Sequence, residues 1–151
     1  MRFNLAAVLL AVFLFANAAS AGSWISGATE GVAIQGYDAV AYYMQKAATK
    51  GSAEYKHDWA GTVWFFSSAE NRALFAANPE KYAPQYGGHC ALSVASGGNS
   101  KGGGEAWTMR DGKLYLNANK DVQSRWMRDP NRNIMFADRQ WPDVKARLEA
   151  Q

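Results

Sequence analysis

The sequence predicts an α+β fold in which a small antiparallel sheet, built from two hairpin-helix units, has helices packed against it. Three observations carry that expectation. Two stretches follow the same plan at a constant offset of 51 residues, so that Gly61 matches Gly112, Trp64 matches Tyr115, Phe75 matches Trp126 and Asn78-Pro79 matches Asp129-Pro130. In each, two runs rich in β-branched and aromatic residues flank a turn dipeptide, which is the pattern of a hairpin. In each, a helical run follows and meets a proline, which disfavours helical geometry in the residue before it. Two units are too few for a solenoid and suit one small sheet.

Met1 to Ala21 read as a signal peptide. Arg2 supplies a positive charge, Leu5 to Phe15 are an apolar run, and Ala16-Asn17-Ala18 and Ala19-Ser20-Ala21 both fit the small-residue rule before a cleavage site. The apolar run is shorter than the roughly 20 residues of a membrane span, and no second run follows. Residues 22–151 are therefore expected to form a single domain with no membrane span after cleavage, periplasmic or secreted. A retained N-terminal anchor is the competing reading.

Asp38 to Met44 reads as a short helix or an irregular apolar segment. Glu54 to Trp59 and Thr62 to Phe66 read as strands joined at Ala60-Gly61. Ser67-Ser68-Ala69-Glu70 opens a helix as a capping box, with Ser67 accepting from a backbone N–H and Glu70 reaching back, and that helix ends near Asn78. Gly88 to Ala95 looks helical. Ser96 to Gly104 is too rich in glycine for a regular element, since glycine loses most backbone entropy on ordering; it is either a mobile surface loop or a lid over Cys90. Ala106 to Arg110 and Lys113 to Asn117 form the second hairpin around Asp111-Gly112, whose residues tolerate positive φ. Leu114 and Leu116 fall on one face of its second strand and Tyr115 on the other. Helices are expected over 119–128 and 138–150, the latter with Trp141, Val144 and Leu148 facing inward. Phe66, Leu74, Phe75, Tyr82, Leu114, Leu116 and Trp126 are expected in the core.

The formal net charge of +3 is small, and acidic residues interrupt the basic ones throughout, which argues against nucleic acid as a partner. Paired carboxylates and metalloprotease spacing are absent, and Gly102-Gly103-Gly104 lacks the Lys-Ser/Thr of a phosphate-binding loop. A thiol-hydrolase set drawn from Cys90, His57 and Asp58 or Asp38 is badly posed, because Asp58 adjoins His57 and does not naturally orient it. No enzyme is expected.

Gly87-Gly88-His89-Cys90 joins the only cysteine to one of only two histidines. No internal disulfide can form, and an unpaired thiol in an exported chain must be buried, metal-bound, reactive or partnered with another molecule. Cys90 and His89, with His57 approaching from the first hairpin, would give one sulfur and two nitrogens, a set suited to copper or zinc. Neighbours on a regular helix point roughly 100° apart, so a shared metal needs the irregular backbone that the glycine pair permits. Two other readings of Cys90 stay open. It lies on the inner face of a helix with Ala91 and Val94, as free cysteines often do, or it is a redox thiol activated at a helix start. A third class of function uses Trp24, Tyr42, Tyr43, Trp59 and Trp141 against a periplasmic protein partner or small ligand.

The order Gly36-Tyr37-Asp38-Ala39-Val40-Ala41-Tyr42, Tyr55-Lys56-His57, Trp64-Phe65-Phe66-Ser67-Ser68 and Phe75-Ala76-Ala77-Asn78-Pro79-Glu80-Lys81-Tyr82 resembles the YHS domain family. Tyr86-Gly87-Gly88-His89-Cys90-Ala91 and Leu114-Tyr115-Leu116-Asn117 look like its exported bacterial members. The resemblance implies a small α+β domain over residues 22–151, an association with heavy-metal handling, and no established catalytic residue set. It also implies a departure: members resembling metal-sensing cysteine modules carry cysteines at the positions of Ala41, Ser67 and Asn71. Without those sulfurs that particular site is lost. The reading that results is a non-enzymatic periplasmic YHS-like module, with a soft-metal site at Cys90, His89 and His57 or, alternatively, a partner or small-ligand site beside a structural Cys90.

Overall fold

A computed structural model of the protein describes residues 22–151; the expected leader lies outside the described residues. Short helix α1 (Ala41–Met44) precedes strands β1 (Ser52–Trp59) and β2 (Thr62–Phe66), then helices α2 (Ala69–Ala77) and α3 (Pro79–Tyr82). Helix α4 (Ala91–Ala95) leads into strands β3 (Gly103–Arg110) and β4 (Lys113–Asn117), then helices α5 (Lys120–Trp126) and α6 (Pro130–Glu149). No helix among the described residues is long and apolar enough to cross a membrane.

The 51-residue offset is a true structural repeat. Its first hairpin pairs His57 with Trp64 and Ser52 with Phe66; the second pairs Thr108 with Tyr115 and Gly103 with Asn117. Both ladders are irregular at the same place, between Ser52 and Lys56 and between Gly103 and Trp107. Both turns put two residues at positive φ, Ala60 and Gly61 at 51° and 73°, Asp111 and Gly112 at 49° and 73°. The likeness extends upstream. Ile34 and Gln35 lie in the left-handed region, as do Tyr86 and Gly87. Cross-links then follow in matching order: Asp38 donates its N–H to Thr49 O and Cys90 to Ser100 O, both at 2.8 Å, while Gly51 bonds Gly36 and Gly102 bonds Gly88. Asp38 and Cys90 thus occupy equivalent places in the two units.

The α+β class holds, with one change in its sheet. The two hairpins form separate two-stranded sheets. They meet through side chains: Leu114 and Leu116 of β4 pack into one core with Trp64, Phe66 and Phe75, while Tyr115 on the opposite face packs with Tyr86, Val94 and Trp126 in another. Beyond the hairpins, isolated backbone bridges join Val63 of β2 to Val32 in parallel, and Tyr37 to Lys50 and His89 to Lys101 in antiparallel fashion.

Three local expectations are corrected. Ser68, not Ser67, caps α2, accepting from Asn71 N–H at 3.1 Å, because Ser67 is held by Asp38. Leu74 is 38 % exposed, since α2 presents Asn71 and Phe75 inward instead. Helix α6 begins at Pro130 instead of near residue 138. Proline is well suited to the first helical position, where its missing N–H has no partner to lose, and Asp129 caps the turn by accepting from Arg132 N–H.

Candidate functional site

The three residues chosen for metal chemistry are placed differently. His57 lies half-buried on β1, edge-on to Phe75 with ring centroids 6.1 Å apart. Cys90 is only 2 % exposed at the start of α4, its thiol donating to the Asn117 carboxamide oxygen at 3.7 Å, which also accepts from Leu92 N–H. His89 is buried with Nδ1 2.9 Å from the Asn99 carbonyl, while Nε2 is buried with no hydrogen-bond partner among the described residues. Burial holds the His89 imidazole below its ordinary pKa, opposed by the carbonyls of Asn99, Trp24 and Ser100. Among the described residues, no three His, Cys, Asp or Glu side chains stand together so that they could hold a metal ion. His57, His89 and Cys90 therefore do not assemble as one three-ligand centre.

The glycine-rich stretch is strapped over Cys90. His89 bridges Lys101, Cys90 N–H reaches Ser100 O, and Gly102 packs so closely on the Gly88 carbonyl that no side chain fits between them. What remains open beside the thiol is a cleft of about 320 Å³, lined among others by Ser93, Ser96, Ser100 and Arg125.

Asp38 is fully buried, and no ion pair reaches it among the described residues; hydrogen-bond donors hold it instead. Its Oδ1 accepts from the N–H groups of Val40 and Ala41 at 2.9 and 3.1 Å. Its Oδ2 accepts from Ser67 N–H, the Ser67 hydroxyl and Asn71 Nδ2 at 2.8, 2.7 and 2.8 Å. These bonds pin the start of α1 to the end of β2 and to α2.

The aromatic residues sort into two groups. Tyr42 is fully buried, with its hydroxyl donating to Gly104 O, and Tyr43 packs edge-on to Tyr82. Trp24, Trp59 and Trp141 are half-buried and converge on one surface cleft of about 220 Å³ that Tyr86, Glu80 and Lys145 also line. Trp24 stands edge-to-face with Trp59 (5.6 Å, 80°) and with Trp141 (6.0 Å, 71°). The Lys145 ammonium sits 4.5 Å from the Trp24 ring centre. Tyr86 donates to Asp138 at 2.8 Å, and burial with that carboxylate raises its pKa well above the ordinary phenol value. Gly87, at φ 60°, brings the backbone against Trp24, where a side chain would meet both the ring and the Trp24 carbonyl.

Among the family models, the one described as YHS domain matches residues 40–86. Over those residues the chain is similar to the YHS domain family. The match covers α1 through α3 and ends in the turn before His89, so the second structural unit lies outside it. No curated protein and no solved structure matches the chain. YHS domains are a metal-associated family, and the fit of a metal can be judged at the positions where the cysteine-bearing relatives would hold one. Ala41, Ser67 and Asn71 do converge in this chain, but on the Asp38 carboxylate, which already receives five donors. With no thiolate there and no vacant lone pair directed at a cation, that position does not fit a soft metal. The sequence offered Asp38 only as a possible partner of His57 and did not show its donor cage, because its partners Ser67 and Asn71 lie 29 and 33 residues away.

Proposed function

We propose that this YHS protein is a non-catalytic, exported binding module whose ligand site is the tryptophan cleft. The observation that carries the reading is the convergence of Trp24, Trp59 and Trp141, from three distant parts of the chain, as half-buried rings around one opening. Large rings gain most by full burial, so a cluster kept at the surface marks a place where something else completes the burial. The rings give the cleft aromatic walls, and Glu80, Gln85 and Lys145 set polar groups among them, the pairing of ring surface with a few placed polar groups that orients a small ligand. The apolar leader with its small-residue cleavage patterns supports export.

A thermal-shift screen of small extracellular solutes tests the site, run on the protein from Gly22 onward and on its Trp24→Leu and Trp141→Leu variants. At least one solute is expected to raise the melting temperature of the wild type while leaving both variants unmoved. A screen in which every active solute shifts all three proteins alike would sink the reading. Intact-mass measurement on the exported product tests the leader: loss of residues up to Ala18 or Ala21 is expected, and a mass that retains Met1 argues for an anchor.

A second reading keeps a soft metal, copper or zinc, at the adjacent pair Cys90 and His89. It is favoured by the unpartnered, buried His89 Nε2 and by the cleft that the thiol lines. Copper(I) and zinc(II) titrations compare wild type with Cys90→Ser and His89→Ala; equal affinities for all three reject it. Any such site weakens as pH falls, because protons compete for thiolate and imidazole.

A further inference from the structure

Trp24, Trp59 and Trp141 are set like adjoining walls of a box, with Trp24 edge-to-face against both neighbours. The face of an aromatic ring carries the negative lobe of its quadrupole and attracts cations within about 6 Å of its centre. One cation is already there, the Lys145 ammonium at 4.5 Å over Trp24. The Glu80 carboxylate lines the same cleft and supplies a countercharge. We infer that the cleft recognises a quaternary ammonium group, a ligand of the choline or betaine class. The inference rests on the cleft being the ligand site and names what fills it.

Lys145 is the internal stand-in for that ligand. A primary ammonium is compact and strongly hydrated, and it gives up water reluctantly to face a ring. A trimethylammonium head carries the same charge on a larger, weakly hydrated surface, and its methyl groups gain by burial against indole. The lysine can yield its place at small cost. Its stem is long and flexible, it is partly exposed, and Glu149, one helical turn further along α6, lies 3.8 Å from its Nζ and can keep it outside the cleft.

The test is a tryptophan-fluorescence titration of the protein from Gly22 onward with choline, and in parallel with dimethylbutanol, the alcohol in which carbon replaces the choline nitrogen. Choline is expected to give a saturable change that dimethylbutanol does not. Lys145→Ala is expected to tighten choline binding by about two- to fivefold, the worth of one exposed cation–ring contact that no longer competes, and Trp24→Leu to abolish it. A lysine with a merely structural role would not move the choline affinity upward when removed. If choline and dimethylbutanol bind alike, the charge inference fails while the cleft remains a ligand site. If neither binds to wild type or to Lys145→Ala, the inference is overturned, and the solute screen on the tryptophan variants decides the fate of the site separately.

Discussion

Asp38 shows how one side chain can organise a unit without a charge partner. A buried carboxylate with no cation persists only where donors replace the water it has lost, and five do so here. Asp38→Ala orphans all five at once, each worth about 1–3 kcal/mol when left buried and unpaired, so a loss of about 3–5 kcal/mol after partial relaxation is expected. Urea unfolding measures it, and a loss under about 1 kcal/mol would mean that water reaches the site. His89 gives a prediction of opposite character, in pH. Burial lowers its folded pKa beneath the unfolded value of about 6.5. Between the two values the unfolded chain binds a proton that the folded one refuses, so stability falls as pH drops below about 6.5 and levels off once the folded imidazole also charges. His89→Gln should flatten that part of the profile; denaturation midpoints from pH 7.5 to 5 for both proteins check it. The residue scale was only partly legible in the sequence. Trp24, Trp59 and Trp141 announced themselves as aromatic candidates because ring chemistry is visible in one letter. The role of Asp38 did not, because it consists of donors brought together by folding.

At the scale of elements, the 51-residue repeat was legible because both hairpins write the same turn chemistry, Ala60-Gly61 and Asp111-Gly112, at the same register. The strands begin earlier than their alternation suggests, at Ser52 and Gly103, because the irregularity in each ladder interrupts the pattern there. The start of α6 was hidden by reading Pro130 as a stop when Asp129 makes it a start. The strap over Cys90 was left open between loop and lid, since nothing local in glycine says what the backbone will touch. Its packing makes a testable contrast. A Cβ at Gly102 would overlap the Gly88 carbonyl oxygen and press on Leu116, whereas one at Gly112 meets nothing and suffers only the left-handed φ of 73°. Gly112→Ala should cost about 1–2 kcal/mol and leave the rest of the molecule unchanged. Gly102→Ala should cost about 1–3 kcal/mol and lift the strap, so that a thiol reagent labels Cys90 in the folded protein much faster. Equal labelling of the two variants would show that the strap does not guard the thiol.

At the scale of the whole molecule, the boundary of the YHS match and the boundary of folding differ. The match ends at residue 86, yet the core it belongs to is closed by Leu114 and Leu116, both fully buried and both from the second hairpin. Strand β4 is a wall between two cores, with its leucines in one and Tyr115 in the other. Damage to either face should therefore be felt on both sides. Leu116→Ala removes a buried side chain from the first core and should cost about 2–5 kcal/mol. In a cooperative domain, that loss appears equally in the slowest-exchanging amides of β1 and β2 and in those of α5 and α6. Native-state hydrogen exchange on wild type and Leu116→Ala reads the two sets separately. If protection falls around Trp64 and Phe75 while the amides near Trp126 and Val144 keep theirs, the repeat is two folding units side by side. A uniform fall is expected instead, because the second hairpin cannot release its leucines from the first core while Tyr115 stays fixed against Trp126, 5.3 Å between ring centres, in the other.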